Sequence, residues 1–221
     1  MTALRLRYQT LEFPDFDIHL RTLRDRQQFR DVGGVAEELG ISSETWPLFG
    51  LLWGSGQALA ELMLERDVQG LRILEVGCGI GLASLVLSQR AANITATDLH
   101  PEAGPFLAAN VALNGGRRIP FTRTGWADAD SGLGLFDLVI GSDLLYERDQ
   151  VDALAGFIDQ HADVGAEVVL IDPGRGLRAR FSKRMGRLGF TEGPLVRARL
   201  AGGELPAVTR VLTYRRDPPL A

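Results

Sequence analysis

Residues 73–84 read ILEVGCGIGLAS: an apolar run, an acid, three alternating glycines, then a second apolar run. Glycine weakens local order, so three of them at one junction must serve an unusual backbone path or a close approach. An apolar run that ends in glycines and leads into a helix is how a buried parallel strand hands the chain to its crossover helix. This junction points to an α/β fold.

The flanking segments repeat the alternation. Residues 55–67 (SGQALAELMLERD) predict a helix with Ser55 as its N-cap. A strand at 71–76, a helix at 81–90 and a strand at 93–98 (NITATD) follow. The next helix begins near Pro101, a residue suited to a first turn. Further strands are expected at 119–124, 136–143 and 166–172, with a helix at 149–160 before the last. Continuous apolar strands separated by helices imply a parallel sheet covered on both faces. In 175–188, Arg180, Lys183, Arg184 and Arg187 share one helical face, and Leu177, Phe181, Met185 and Leu188 the other. The basic face reads as a solvated exterior. LGF and AVTRVLTYRR predict two short closing strands.

Residues 1–45 differ in texture. LRLRYQ and FDIHLRTL alternate apolar and polar residues around Pro14-Asp15, the mark of a hairpin, and a polar stretch broken by Gly33-Gly34 follows. The expected organisation is an arm over 1–45, packed on a main domain over 46–221 and placed as a flap over a substrate channel.

The glycine junction narrows the ligand. A dinucleotide loop follows G-x-G-x-x-G, yet counting from Gly77 the last glycine falls on Leu82. What stands is E-x-G-x-G-x-G, with Glu75 at the strand end and Gly77, Gly79 and Gly81 after it. A carboxylate there repels a pyrophosphate and welcomes an ammonium. The next strand ends at Asp98, placed to accept hydrogen bonds from two ribose hydroxyls; its other reading is a cap for the helix near Pro101. A nucleoside carrying an ammonium and a carboxylate, as S-adenosylmethionine (SAM) does, suits the pair.

With these residues in view, the sequence resembles the seven-β-strand SAM-dependent methyltransferases. Within them it is similar to the branch that methylates lysine, and in some members histidine, on proteins. The resemblance runs from about 46 to 215 through LFGLLWGSGQALAEL, ILEVGCGIG, ATDLH, LAANVALN, TGWAD and FDLVIGSDLLY. It implies a Rossmann-like seven-stranded, mostly parallel sheet with helices on both faces and the last strand antiparallel, plus the N-terminal hairpin. It also implies that Trp53, Glu75, Gly77, Gly79, Gly81, Asp98, Trp126 and Ser142 bind the cofactor. The D-x-x-Y signature would place Asp143 and Tyr146 at the methyl acceptor, the first orienting an amine and the second walling it. In the segment IDPGRGLRARF, an arginine such as Arg175 is familiar in that branch, whereas Asp172-Pro173-Gly174 departs from the family's pattern.

Other features bound the reading. One cysteine among 221 residues precludes an internal disulfide, and Cys78 is expected to pack inside the glycine loop. MTALRLRYQTLEF has no apolar h-region and Leu48–Leu64 is interrupted by polar residues, so a cytoplasmic protein without a membrane anchor is expected. The three histidines are scattered, no metal site is expected, and His100 reads as an exposed loop residue. A net charge of −4 and no N/D-P-P-Y/F motif argue against nucleic acid as partner. The favoured function is N-methylation of a protein lysine. A small-molecule amine acceptor and a non-catalytic SAM-binding scaffold are the alternatives.

Overall fold

Alternation along the central strands decides which layer each side chain joins. The computed structural model describes residues 4–128 and 131–217. A hairpin opens the chain, β1 (Leu6–Glu12) and β2 (Asp17–Leu23), followed by a short α1 (Val35–Glu38) and a 3-10 turn (Trp46–Gly50). Then come α2 (Gly54–Glu65), β3 (Arg72–Val76), α3 (Leu82–Gln89), β4 (Asn93–Asp98), α4 (Ala103–Leu113), β5 (Phe121–Arg123) and β6 (Phe136–Ser142). The chain closes with α5 (Gln150–His161), β7 (Ala162–Asp172), α6 (Arg178–Arg187), β8 (Phe190–Glu192), β9 (Val196–Arg197) and β10 (Arg210–Arg216).

The main sheet runs β5-β4-β3-β6-β7-β10-β8, with β9 paired to β10 beside that path. The first five strands are parallel. β10 is antiparallel to β7, β8 and β9, so β10 alone runs against the rest, as expected of the last strand. The closing segment holds β8, β9 and β10, one strand more than the sequence predicts. Strand order reverses between β3 and β6, which makes the carboxyl ends of these two strands the flanks of a crevice.

Each sheet face carries its own core. Ile73, Leu138, Ile140, Val169 and Ile171 meet the layer containing α2, α3 and α4, while Leu74, Val139, Val168 and Leu170 meet α5 and α6. α3 is buried from Leu82 to Leu87, which suits a helix covered on all sides and explains its apolar run. On α6, Phe181 and Met185 are fully buried, while Arg180 and Arg184 pair outward with Asp152. The basic face is thus a solvated one. Truncating Phe181 to alanine would cost about 3–5 kcal/mol.

One expectation is corrected. Ser55 does not cap α2; Trp53 holds that position without a side-chain bond, and Ser55 is buried inside the first turn. The hairpin packs on the main domain. Ile18, Leu20 and Leu23 belong to the core around α3 and α4. Two asparagines one turn apart on α4 grip the edge of β2. Asn114 accepts from His19 N at 2.8 Å and donates to His19 O at 2.8 Å, and Asn110 accepts from Arg21 N at 2.7 Å. Residues 19 and 21 point their main chains the same way, and helix neighbours four apart match that repeat. The asparagine amides stand in for a neighbouring strand. Among the described residues, no helix is long and apolar enough to cross a membrane.

Candidate functional site

At the end of β3 the chain turns through three left-handed glycines, Gly77 (φ 63°), Gly79 (φ 54°) and Gly81 (φ 78°). These torsions alone account for glycine. Space adds to the demand. A Cβ on Gly79 would lie 2.7 Å from the Phe49 carbonyl oxygen, and one on Gly77 2.6 Å from Leu144 Cδ2. One on Gly81 would collide with Leu107. The close approach that the glycines permit is therefore first to the protein itself.

Glu75 sits one residue before the strand ends, and its carboxylate turns to the start of α3. Its Oε2 accepts from Ser84 N at 2.9 Å and from Ser84 Oγ. The carboxylate caps the helix from the strand and meets the positive end of the helix dipole, where a dinucleotide phosphate would otherwise rest. Glu75 is buried, and desolvation pushes its carboxyl up to about 7 against the two Ser84 bonds, with nearby Asp98 adding to the rise. Cys78 is buried in the loop, donates its N–H to Thr97 O, and has its thiol pushed up by burial.

Asp98 ends β4 and ties the loop to the next turn. It accepts from Gly79 N and from His100 N, each at 2.8 Å. It does not cap α4, whose N-cap is Glu102. Burial raises its carboxyl despite these bonds. His100 is not the exposed loop residue that its neighbours in sequence suggest. It is 5 % exposed, stacks on Phe49 at 3.8 Å and meets Trp46 edge-on at 5.2 Å. Its Nδ1 accepts from Glu102 N at 3.1 Å, and burial pushes the imidazole down to about 3. The ring is therefore neutral, with its proton on Nε2.

Across the crevice, Asp143 follows β6. Its φ of 56° is left-handed, a conformation in which aspartate is among the few tolerated non-glycine residues. Its N–H extends the ladder to Ile171 O at 2.9 Å. The torsion turns the carboxylate over the crevice, where Arg175 donates from Nε at 2.6 Å and Nη2 at 2.7 Å. Tyr146 keeps half its surface exposed, while desolvation of its hydroxyl and then Glu147, Asp98 and Asp143 push it up to about 12. It stays a phenol and can serve as a wall or donor.

One cavity of about 520 Å³ joins these groups. Trp53, Glu75, Gly77, Gly79, Asp98, Trp126, Ser142, Asp143 and Tyr146 all line it. Gly81 lies beneath, against Leu107. Trp53 is held by its Nε1–H to Leu48 O at 2.9 Å and lies under the Arg26 guanidinium at 4.8 Å. Asp128 accepts from Thr124 Oγ1 at 3.0 Å and Gly125 N at 2.6 Å, which fixes the loop that carries Trp126. The lining also includes Arg26 and Phe49 from the N-terminal side, which sequence reasoning passed over, and His100 and Arg175, which it noted without assigning them to the site. Neither Arg26 nor Phe49 carried a local signal.

A family model described as lysine methyltransferase matches residues 38–175. The chain belongs to this family. It is 31 % identical over 163 residues to the electron transfer flavoprotein beta subunit lysine methyltransferase of Rattus norvegicus, which covers 72 % of this chain and 61 % of the rat protein. It is 32 % identical over 141 residues to protein N-lysine methyltransferase METTL21A of Danio rerio, 58 % of this chain and 63 % of that one. The chain thus spans about three fifths of the length of these relatives. Among solved structures, the ribosomal protein L11 methylase of Lactobacillus delbrueckii subsp. bulgaricus aligns with a TM-score of 0.57 and 25 % identity, covering 72 % of this chain and 77 % of that one. A magnesium protoporphyrin IX methyltransferase of Synechocystis PCC 6803, solved with SAM, aligns with a TM-score of 0.60 at 20 % identity over 88 % of this chain and 89 % of that one. That likeness speaks to the fold.

Proposed function

We propose that the protein is a SAM-dependent N-methyltransferase whose acceptor is a lysine side chain of another protein. The observation that carries this reading is the pairing of two unlike carboxylate regions on one cavity. Glu75 is buried and Asp98 half-buried there, neither with a salt bridge among the described residues, and Asp143 is turned towards the same space by a left-handed torsion. Glu75 offers its second oxygen to an ammonium, and Asp98 has lone pairs left for ribose hydroxyls beyond its two main-chain bonds. Trp53 and Trp126 provide flat apolar walls, and Ser142 a hydroxyl, at the positions the family uses for the cofactor. SAM, when bound, supplies an electrophilic methyl group.

The acceptor nitrogen must be neutral and in line with the bond that breaks, and most of the rate gain is orientation. Asp143 holds and aims the amine by a charge-assisted hydrogen bond. The lysine proton leaves to water. Tyr146, protonated throughout the physiological range, walls the amine and attracts its cationic form through the ring. With SAM bound, the amine held by Asp143 would form its bond to the methyl carbon as the carbon–sulfur bond breaks, leaving S-adenosylhomocysteine.

The protein acceptor is supported by the family and by relatives that act on protein lysines. We also propose a division at 45/46 and a cytoplasmic setting. The hairpin would serve as a structural staple, while Arg26 and residues near 39–45 border the cavity. Incubating the protein with tritiated SAM and a cell lysate tests the reading. Label on lysines of a protein substrate, mapped by mass spectrometry, is the expected result; label confined to metabolites would overturn it. Lys183 is the chain's only lysine, so labelling of the enzyme's own side chains can be read at one position.

A further inference from the structure

Asp143 is the group to which the acceptor amine is assigned, and in this structure both of its oxygens already hold a cation. The Arg175 fork donates to Oδ1 and Oδ2 at 2.6 and 2.7 Å. Among the described residues, no other cation forms a salt bridge with Asp143. Asp143 is well covered, its side chain 15 % exposed, whereas the Arg175 side chain is 46 % exposed at the cavity wall. A two-point fork takes the in-plane lone pairs of a carboxylate, the ones a second donor would want. A lysine ammonium brought to the same oxygens would also stand beside a like charge, which disfavours both together.

Gly174 (φ 91°) and Gly176 (φ 85°) flank Arg175; the first packs against Val208 and donates to Asp172 Oδ1, while nothing lies within 4 Å of where a Cβ on the second would be. Arg175 thus rides on a glycine-flanked turn with open space on one side. Buried Asp172, three residues earlier, adds a second negative field that favours the guanidinium nearby when it leaves Asp143. A residue that only propped the carboxylate would gain from a rigid, covered mount such as β6 provides for Asp143.

We propose that Arg175 is the resident counter-ion of the amine subsite, which an entering acceptor must displace from Asp143, so that Arg175 sets how strongly an amine has to bind to be accepted. This rests on the assignment of Asp143 to the acceptor. Arg175 acts through Asp143 and is a positioning residue, not a catalytic one.

The test uses the full chain saturated with S-adenosylhomocysteine and titrated with N-α-acetyl-lysine methylamide, observed by NMR. Arg175→Gln should bind this amine about fivefold tighter than the wild type, the scale of one partly exposed ion pair. Arg175→Lys, which keeps the charge and loses the fork, should fall between the two. The gain should vanish when Asp143→Asn is added, closing a double-mutant cycle. S-adenosylhomocysteine affinity should stay within about twofold throughout, which separates the effect from misfolding. An unchanged or weaker amine affinity in Arg175→Gln, a gain that survives Asp143→Asn, or no amine binding by any variant would overturn the proposal while leaving the cofactor reading in place. Failure of S-adenosylhomocysteine to bind the wild type would remove the functional reading and this inference with it.

Discussion

Two ends of one cavity treat their carboxylates in opposite ways. At the β3 and β4 end, buried Glu75 and half-buried Asp98 are held by main-chain N–H groups and a serine, and raised by desolvation. At the β6 end, Asp143 is held by an arginine that is half open to solvent. The first pair carries an unrelieved burial cost that a ligand with an ammonium and hydroxyls would offset. The second has been neutralised in advance, so a ligand there must exchange with a group already present.

Substitutions can break this contrast. The largest effect is expected from Asp143→Asn, which keeps the size and tolerance of the left-handed torsion but removes the charge. Methyl transfer should fall by about 10²–10³-fold in single turnover, with cofactor affinity within about twofold. Equal losses in both would mean that the two ends are not separate.

Glu75→Gln should act at the other end. S-adenosylhomocysteine affinity, read by calorimetry, is expected to drop by about 10–100-fold, the worth of a charge-assisted bond. In the wild type the ligand's ammonium needs Glu75 ionised, so affinity should rise between pH 6 and 7.5 as the carboxyl is crossed near 7. The variant should show a flatter profile. The ligand-free fold has the opposite sign: a carboxyl raised from 4.5 to about 7 contributes stability that is present below 4.5 and is lost as pH rises through 7.

Smaller effects concern stability. Gly79→Ala forces a side chain onto a main-chain carbonyl at positive φ and should cost about 3 kcal/mol by urea unfolding. Asn110→Ala leaves the Arg21 N–H and the Ile80 carbonyl without their partner and should cost about 1–3 kcal/mol, again by urea unfolding. A neutral result for Asn110 would mean that the hairpin is held by Ile18 and Leu20 alone.

Much of the fold is legible in the sequence because the strands are continuous and apolar and the glycines mark the handover. NITATD matches β4 at both ends, and the hairpin alternation around Pro14-Asp15 matches β1 and β2. Of the candidate site residues, all but Gly81 line one cavity. What escapes local reading depends on partners far along the chain. His100 looks like a loop histidine until residues 46–49 fold over it, and Ser55 looks like a cap until the helix begins two residues earlier, at Gly54. The bond between Arg175 and Asp143 spans 32 residues and follows from neither segment alone. Asn110 and Asn114 carry a helical spacing, yet only the docked edge of β2 gives that spacing a use.

The carbonyl of Phe49 has a consequence for how kinship of this kind is read. It stands where a methyl group on residue 79 would go, so any descendant of this chain that preserves the turn at 46–50 must also preserve the bare position. Retention of that glycine testifies to architecture. The left-handed aspartate after β6 has no such steric excuse, so its retention would testify to use.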